Sequence, residues 1–394
     1  MSGLAEFETV VVGGGPAGAT AATDLARAGR HVMLLDRAGR IKPCGGAIPP
    51  RAIEDFEIPD HLLVAKASLA RMVAPSGKIV DMPVGDGFVG LVDRDVFDEW
   101  LRARAALAGA ERRTGSFDRI ERDADGTAIV VYREGRGGAE QRVRAKSVIG
   151  ADGARSGVAR GFTDESDLVP CVFAYHEIVK SPVNDSNYDP HRCDVIYQGK
   201  HSPDFYAWVF PHGDTASIGV GSANKGFALR EAVERVRAET GLDVCETIRR
   251  EGAPIPLKPL KRWDDGRDTL VAGDAAGVVA PASGEGIYYA MACGRCAADA
   301  VERFLVTGKA SALKGARKTF MRAHGKVFFI LRIMQHFWYS SDKRRERFVT
   351  MCEDKDVQTL TWQAYMNKRL VKAKPMAHLR IFVKDMRHLL QSVG

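Results

Sequence analysis

The chain has 394 residues, 45% of them apolar, and a formal net charge of +7. That is long enough for a sizeable core and two domains, and the composition is ordinary for a globular protein. No apolar run reaches the roughly 18 residues that a membrane span needs, and the first apolar run belongs to a glycine turn, so neither a membrane span nor a secretory leader is expected.

Seven scattered cysteines, an odd number, point to a reducing, cytoplasmic setting with free thiols. The charge is uneven. Residues 341–394 hold twelve Lys and Arg against six Asp and Glu, and 321–340 add Arg322, Lys326 and Arg332 with no acid. The basic character therefore belongs to the C-terminal region. It suits an anionic membrane face. Its aromatics cluster in one greasy segment instead of alternating with basic residues as stacking platforms, which argues against nucleic acid.

In chain order, Thr9–Gly18 reads as strand, tight turn and helix. Its glycines stand at G-x-G-x-x-G spacing: Gly13 for the turn, Gly15 for close approach of a pyrophosphate, Gly18 for close helix packing, with Ala17 between them. A helix is predicted over 17–28, with its positive end facing the phosphate. A second strand, 31–35, ends at Asp36 and Arg37, where a carboxylate binds a ribose hydroxyl. Together these predict a dinucleotide site.

Lys42-Pro43-Cys44-Gly45-Gly46-Ala47 is a glycine turn carrying a thiol. Cys44 suits a proton donor, a contact to a flat cofactor, a redox switch or a small space-filler. Strands are predicted over 69–73 and 78–82. An amphipathic helix follows Val92-Asp93-Arg94-Asp95, with Val96, Phe97, Trp100, Leu101, Ala105 and Leu107 on its apolar positions. Without further context, Arg94 and Asp98 read as an exposed pair at the helix start. Strands over 127–133 and 141–145 flank the turn 134–138. A short buried strand over 147–150 leads into Ala151-Asp152-Gly153.

From about 166 to 258, short alternating segments predict an antiparallel sheet. Within it, Tyr206, Trp208 and Phe210 share one strand face. They form either a flat apolar wall for a greasy ligand or ordinary sheet packing. A buried strand over 269–272 leads into Gly273-Asp274-Ala275-Ala276-Gly277, and a long helix is predicted over 285–305. Cys293-x-x-Cys296 lies within that helix among Ala and Gly, and reads as close packing rather than a redox or zinc motif. The segment 326–339 is almost wholly apolar and is followed by the basic run 343–347. It reads as a helix that lies on a membrane surface or lids a pocket, or as an ordinary buried helix with a solvated end, and the first is expected. His324, His336 and His388 have no ligand-like spacing, and no metal site is expected.

The glycine turn, Asp152-Gly153 and Gly273-Asp274 taken together resemble FAD-dependent oxidoreductases with the para-hydroxybenzoate hydroxylase type of fold. Within them, Pro203-Asp204-Phe205-Tyr206-Ala207-Trp208-Val209-Phe210-Pro211-His212-Gly213 is similar to the P-x-x-Y-x-W-x-F-P-x-G signature of geranylgeranyl reductases, and Cys44-Gly45-Gly46 to their Cys-Gly-Gly element. The resemblance extends along the whole chain, to the chlorophyll and bacteriochlorophyll branch. It implies an α/β fold: a Rossmann-like FAD-binding domain (1–66, 93–165, 259–306), an inserted antiparallel β-sheet substrate domain (67–92, 166–258) and a helical, basic C-terminal region (307–394). It implies FAD contacts at Gly13, Gly15, Ala17, Gly18, Asp36, Arg37, Cys44, Gly45, Gly46, Ala47, Arg94, Asp152, Gly153, Asp274, Gly277, Gly286 and Ile287. Substrate contacts would fall on Tyr206, Trp208, Phe210, Pro211 and Gly213, with Cys44 as the candidate catalytic residue.

The implied activity is reduction of a geranylgeranyl group, on a prenylated tetrapyrrole or as geranylgeranyl diphosphate, to phytyl by saturating three double bonds. NADPH is the implied donor, with a ferredoxin as a substitute. Peripheral contact with a photosynthetic membrane follows from a lipid-tailed substrate. A flavin monooxygenase or halogenase of the same fold, and a non-catalytic flavoprotein that binds prenylated pigment, are the competing readings.

Overall fold

A computed structural model describes residues 4–368, apart from 38, 40, 86, 136, 166–168 and 183–186. Of the expected C-terminal region, residues 369–394, His388 among them, lie outside the described residues, as does Arg136 of the predicted turn.

The first sheet is built on the apolar run Glu6–Val12, whose last four residues are all buried. It lies between Val32–Asp36 and Glu140–Gly150, parallel to both, and Glu111–Thr114 extends one side. Two antiparallel strands, Ala128–Arg133 and Ser116–Arg122, extend the other, and Thr269–Val271 pairs parallel with the end of Glu140–Gly150. The two strands predicted over 141–145 and 147–150 are thus one strand of 11 residues. Its first half pairs with the meander and its second half with the parallel core, so the burial pattern changes midway without a break.

Helices Pro16–Arg27 and Ile287–Thr307 lie beside this sheet and pack on each other through small residues. A Cβ on Gly294 would stand 2.2 Å from the Ala17 carbonyl oxygen, so the Cys293–Cys296 segment has the close-packing role that its composition predicts. The helix Arg94–Leu107 buries Phe97, Leu101 and Ala105, but leaves Val96 56% and Leu107 90% exposed. Its apolar stripe is therefore narrower than predicted.

The second sheet has seven strands, in the order Thr247–Pro256, Cys171–Lys180, Thr215–Ser222, Ala207–His212, Arg192–Ile196, Leu69–Val73 and Ile79–Pro83. It is antiparallel except where Arg192–Ile196 runs parallel to Leu69–Val73. One face packs on the helix Leu229–Thr240 through Ala207, Val209, Ile218, Val233 and Val236. The other carries Tyr206 and Trp208 and meets the C-terminal helices through Trp338, Tyr339 and Val349. The greasy segment is the second half of one helix of 25 residues, Lys314–Trp338. It buries Phe320 and Phe328 against the first core and Trp338 against the second. Phe329, Ile330 and Ile333 point outward, at 57%, 40% and 52% exposure. No described helix is long and apolar enough to cross a membrane.

Candidate active site

Gly13 takes φ +104°, and a Cβ there would lie 2.3 Å from the Ala151 carbonyl oxygen. One on Gly18 would lie 1.9 Å from the Gly13 carbonyl oxygen. Turn, helix and the Ala151–Gly153 loop are thereby pressed together. Gly15 differs. Its backbone is extended (φ −75°, ψ −175°) and a Cβ there would meet nothing within 4 Å. The turn therefore leaves open space beside the helix end whose first amides carry no side-chain cap, which is the arrangement that accepts a phosphate.

Asp36 closes its strand with its carboxylate 3.1 Å from Arg102 Nη1. A Cβ on Gly14 would sit 2.8 Å from each of these two side chains. Arg102, on the helix Arg94–Leu107, carries no signal in the sequence that links it to Asp36. Arg37 is exposed. Asp152 is turned to its own loop: its carboxylate accepts from Ser156 Oγ at 2.5 Å and from the Gly157 amide at 2.6 Å. Burial raises its pKa, and those hydrogen bonds oppose the shift. Asp152 thus staples the start of the helix Gly157–Arg160, and Gly153 faces open space.

Asp274 ion-pairs with Lys42. That contact joins the Lys42–Ala47 turn to the late glycine loop, and only the tertiary fold brings the two together. Gly277 abuts the Lys258 carbonyl. The long helix begins at Ile287, capped by Gly286, and not at Glu285 as predicted. Gly284 is in the left-handed region (φ +66°), so the helical pattern cannot extend back through it. Glu285 instead pairs with Lys368, both side chains being buried. Burial raises the pKa of the acid and lowers that of the amine, each against the pull of its partner.

Arg94 and Asp98 form a two-pronged pair at 2.8 and 2.7 Å, each only 6% exposed. The reading of an exposed pair at the helix start is therefore corrected: the pair is buried, and the Cys44 sulfur lies beside Arg94. Burial opposes the Arg94 charge, but Asp98 and then the Cys44 sulfur hold its pKa above the ordinary value. Cys44 is half-buried, and its sulfur accepts from the Gly46 amide at 3.4 Å. Ala47 starts the short strand Ala47–Ile48, which pairs with Val89–Leu91.

The aromatic strand lies across this loop. A Cβ on Gly45 would be 3.0 Å from the Phe210 ring and 3.6 Å from Trp208 Nε1, and one on Gly284 would be 3.4 Å from the Tyr206 hydroxyl. Tyr206, Trp208 and Phe210 follow one another at centroid spacings of 6.1 and 6.3 Å. They therefore form a wall running from the start of the long helix to the Cys44 loop. His212, which the sequence reading passes over, continues the same face. Its Nε2 lies 3.1 Å from the Gly45 carbonyl oxygen and its Nδ1 2.9 Å from Asp93. Pro211 alternates to the opposite face with Ala207 and Val209, and a Cβ on Gly213 would point at the Val64 carbonyl. These two members of the expected substrate set do not join the wall.

Among the described residues there is no group of three or more side chains able to hold a metal ion. The arrangement offers a phosphate-accepting turn, a buried cation beside a thiol, and an aromatic surface. Those features suit a flat cofactor facing an apolar ligand.

Residues 7–172 match the family described as pyridine nucleotide-disulphide oxidoreductase. The chain is 58% identical to the geranylgeranyl diphosphate reductase of Rhodobacter capsulatus over 384 residues, covering 98% of this chain and 97% of that one. A solved geranylgeranyl bacteriochlorophyll reductase-like protein from Thermoplasma acidophilum superposes with TM-score 0.82 at 22% identity, over 94% of this chain and 98% of that one. A triple mutant of a flavin-dependent brominase superposes with TM-score 0.73 at 16% identity, over 96% of this chain and all of that one. At such identities the two superpositions show the fold alone.

Proposed function

The chain belongs to the geranylgeranyl reductase family, and from that premise we propose that it is an FAD-dependent oxidoreductase that saturates three double bonds of a geranylgeranyl group, yielding phytyl. The observation that carries the reading is the wall of Tyr206, Trp208 and Phe210 set against the Cys44–Gly46 loop. A polyprenyl chain offers no polar handle, and a continuous aromatic face binds it by area while excluding water.

The residues fit FAD. The open space at Gly15 suits the pyrophosphate, Asp36 the ribose, and the loops at Asp274 and Gly286 the remainder. When bound, FAD supplies hydride. The chain's part is to hold the alkene, to shield it and to place a proton. We assign the proton to the Cys44 thiol, which gives it to one alkene carbon while the other gains hydride, so each step adds two hydrogens and the thiol is reprotonated from solvent. Aromatic faces stabilise the positive charge that develops between these events. The buried Arg94 guanidinium lies beside the Cys44 sulfur.

NADPH is the proposed reductant of the flavin, with a ferredoxin as the alternative donor; the match to a pyridine nucleotide family supports the former. The prenyl carrier is either the diphosphate or an esterified (bacterio)chlorophyll. The protein is proposed to work in (bacterio)chlorophyll biosynthesis, attached from the cytoplasm to a photosynthetic membrane. What supports attachment is the outward face of Lys314–Trp338, which runs from Lys318, Arg322 and Lys326 to exposed Phe329 and Ile333.

The test is anaerobic incubation of FAD-loaded protein with NADPH and either geranylgeranyl diphosphate or geranylgeranyl bacteriochlorophyll, followed by mass spectrometry of the tail. Gains of two hydrogens, stopping after three steps, are expected. An unchanged tail, with peroxide and a hydroxylated or halogenated aromatic on admitting air, would replace the reductase with a monooxygenase.

A further inference from the structure

Four strands of the second sheet place Glu251, His176, Gly219 and Trp208 in one transverse row: Glu251 is paired with His176, His176 with Gly219, and Gly219 with Trp208. Members of such a row share a face of the sheet. Gly219 leaves the gap that the indole fills, since a Cβ there would lie 2.1 Å from the Trp208 ring. Ser217, two residues earlier on the same face, reaches under the indole.

A hydrogen-bonded chain results. Trp208 Nε1 donates to Ser217 Oγ at 3.2 Å. Ser217 Oγ lies 3.0 Å from His176 Nδ1, and His176 Nε2 lies 3.1 Å from Glu251 Oε2. The other Glu251 oxygen pairs with Arg249. Because an indole N–H can only donate, the serine oxygen accepts from it and directs its own proton to His176 Nδ1. The imidazole then carries its hydrogen on Nε2 and gives it to Glu251. This assignment leaves no member unpaired. Ser217 is fully buried, His176 is 2% and Trp208 6% exposed, so water does not compete for these bonds.

We propose that Ser217, His176 and Glu251 are positioning residues that set the plane of the Trp208 indole, and with it the seat in which the polyprenyl chain must be placed for each successive reduction. The proposal rests on the wall being the substrate surface. An indole released from Ser217 loses the bond that fixes its ring plane beside Gly45, whose Cβ position lies 3.6 Å from Nε1, on the loop that bears Cys44. Binding of the chain by area then survives, while registration of the double bond is lost.

The test uses the full chain, FAD-loaded and labelled with 15N-tryptophan. Trp208→Phe identifies the Trp208 indole N–H signal. In Ser217→Ala and in His176→Gln that signal is expected to shift and its exchange with solvent to quicken at least tenfold; Ser217→Thr, which keeps the hydroxyl, is expected to retain it. With geranylgeranyl diphosphate, the first two variants are expected to lose about tenfold or more in kcat with KM little changed, and to release products short of three reductions, as misplacement at a reacting centre does. The double variant Trp208→Phe/Ser217→Ala is expected to match Trp208→Phe alone. An indole signal unmoved by both variants, or a further tenfold loss in the double variant, overturns the proposal. Wild-type protein that leaves every prenyl tail unchanged would instead refute the reductase reading, and the indole signal would still decide the relay.

Discussion

Replacing Gly15 by alanine separates the cofactor's needs from the fold's. The extended backbone at Gly15 suits any residue, and its added methyl meets no atom within 4 Å. The apoprotein is therefore expected to keep its stability or to gain about 0.4–1 kcal/mol from the stiffer unfolded chain. A pyrophosphate seated there would lose close approach to the turn. Weakening two charge-assisted amide contacts at about 1.5 kcal/mol each amounts to about 3 kcal/mol, roughly a hundredfold in FAD affinity. Gly18→Ala gives the contrast, because its methyl would stand 1.9 Å from the Gly13 carbonyl oxygen and the apoprotein itself must distort. The assay is thermal unfolding of each apoprotein by circular dichroism, with an FAD titration followed by flavin fluorescence. If Gly15→Ala binds FAD within threefold of wild type, the pyrophosphate does not sit at this turn. If its apoprotein melts well below wild type, the space beside Gly15 is not open.

Asp98→Ala leaves the Arg94 charge buried and unpaired, and is expected to cost about 3–5 kcal/mol in urea unfolding. Cys44→Ala is expected to lower single-turnover reduction about a hundredfold with FAD affinity within threefold of wild type; unchanged turnover would remove the thiol from the proton path, as would absence of solvent deuterium from the product. His324, packed among Tyr289 and Phe320, has its pKa pushed down to about 4, first by burial and then by the Lys368 ammonium. Between that value and the ordinary 6.5 the unfolded chain binds the extra proton, so stability falls as pH is lowered from 7 toward 4, by on the order of 2–3 kcal/mol. His324→Phe should flatten that slope in urea titrations at pH 7 and pH 5; an equal slope in both proteins would refute it. Phe329→Ser with Ile333→Ser should leave the melting temperature unchanged and weaken sedimentation with anionic vesicles at least about tenfold, each side chain being worth about 1.5–3 kcal/mol when fully inserted. Equal sedimentation would take this face off the membrane.

Sequence alone determined the parts whose physics is local. The G-x-G-x-x-G spacing announces a strand–turn–helix because only glycine tolerates the contacts at Gly13 and Gly18 while Gly15 leaves room for a phosphate, and the alternation of Tyr206, Trp208 and Phe210 announces a one-sided aromatic strand because the strand period is two. The small residues around Cys293 likewise foretell close helix packing. Tertiary structure decided everything that depends on which distant segments meet. Arg94 and Asp98 read as an exposed pair at a helix start but are buried, with Cys44 from a distant loop beside Arg94. Lys42 with Asp274, Arg102 with Asp36, Lys368 with Glu285 and His212 with the Gly45 carbonyl pair across separations in the chain that no local pattern encodes. The second half of Lys314–Trp338 shows the division within one helix. Its apolar composition is plain in the sequence, but which side chains serve the core and which face outward depends on the two cores it bridges. Composition sets how much apolar surface a segment must bury, and only the assembled chain determines against what.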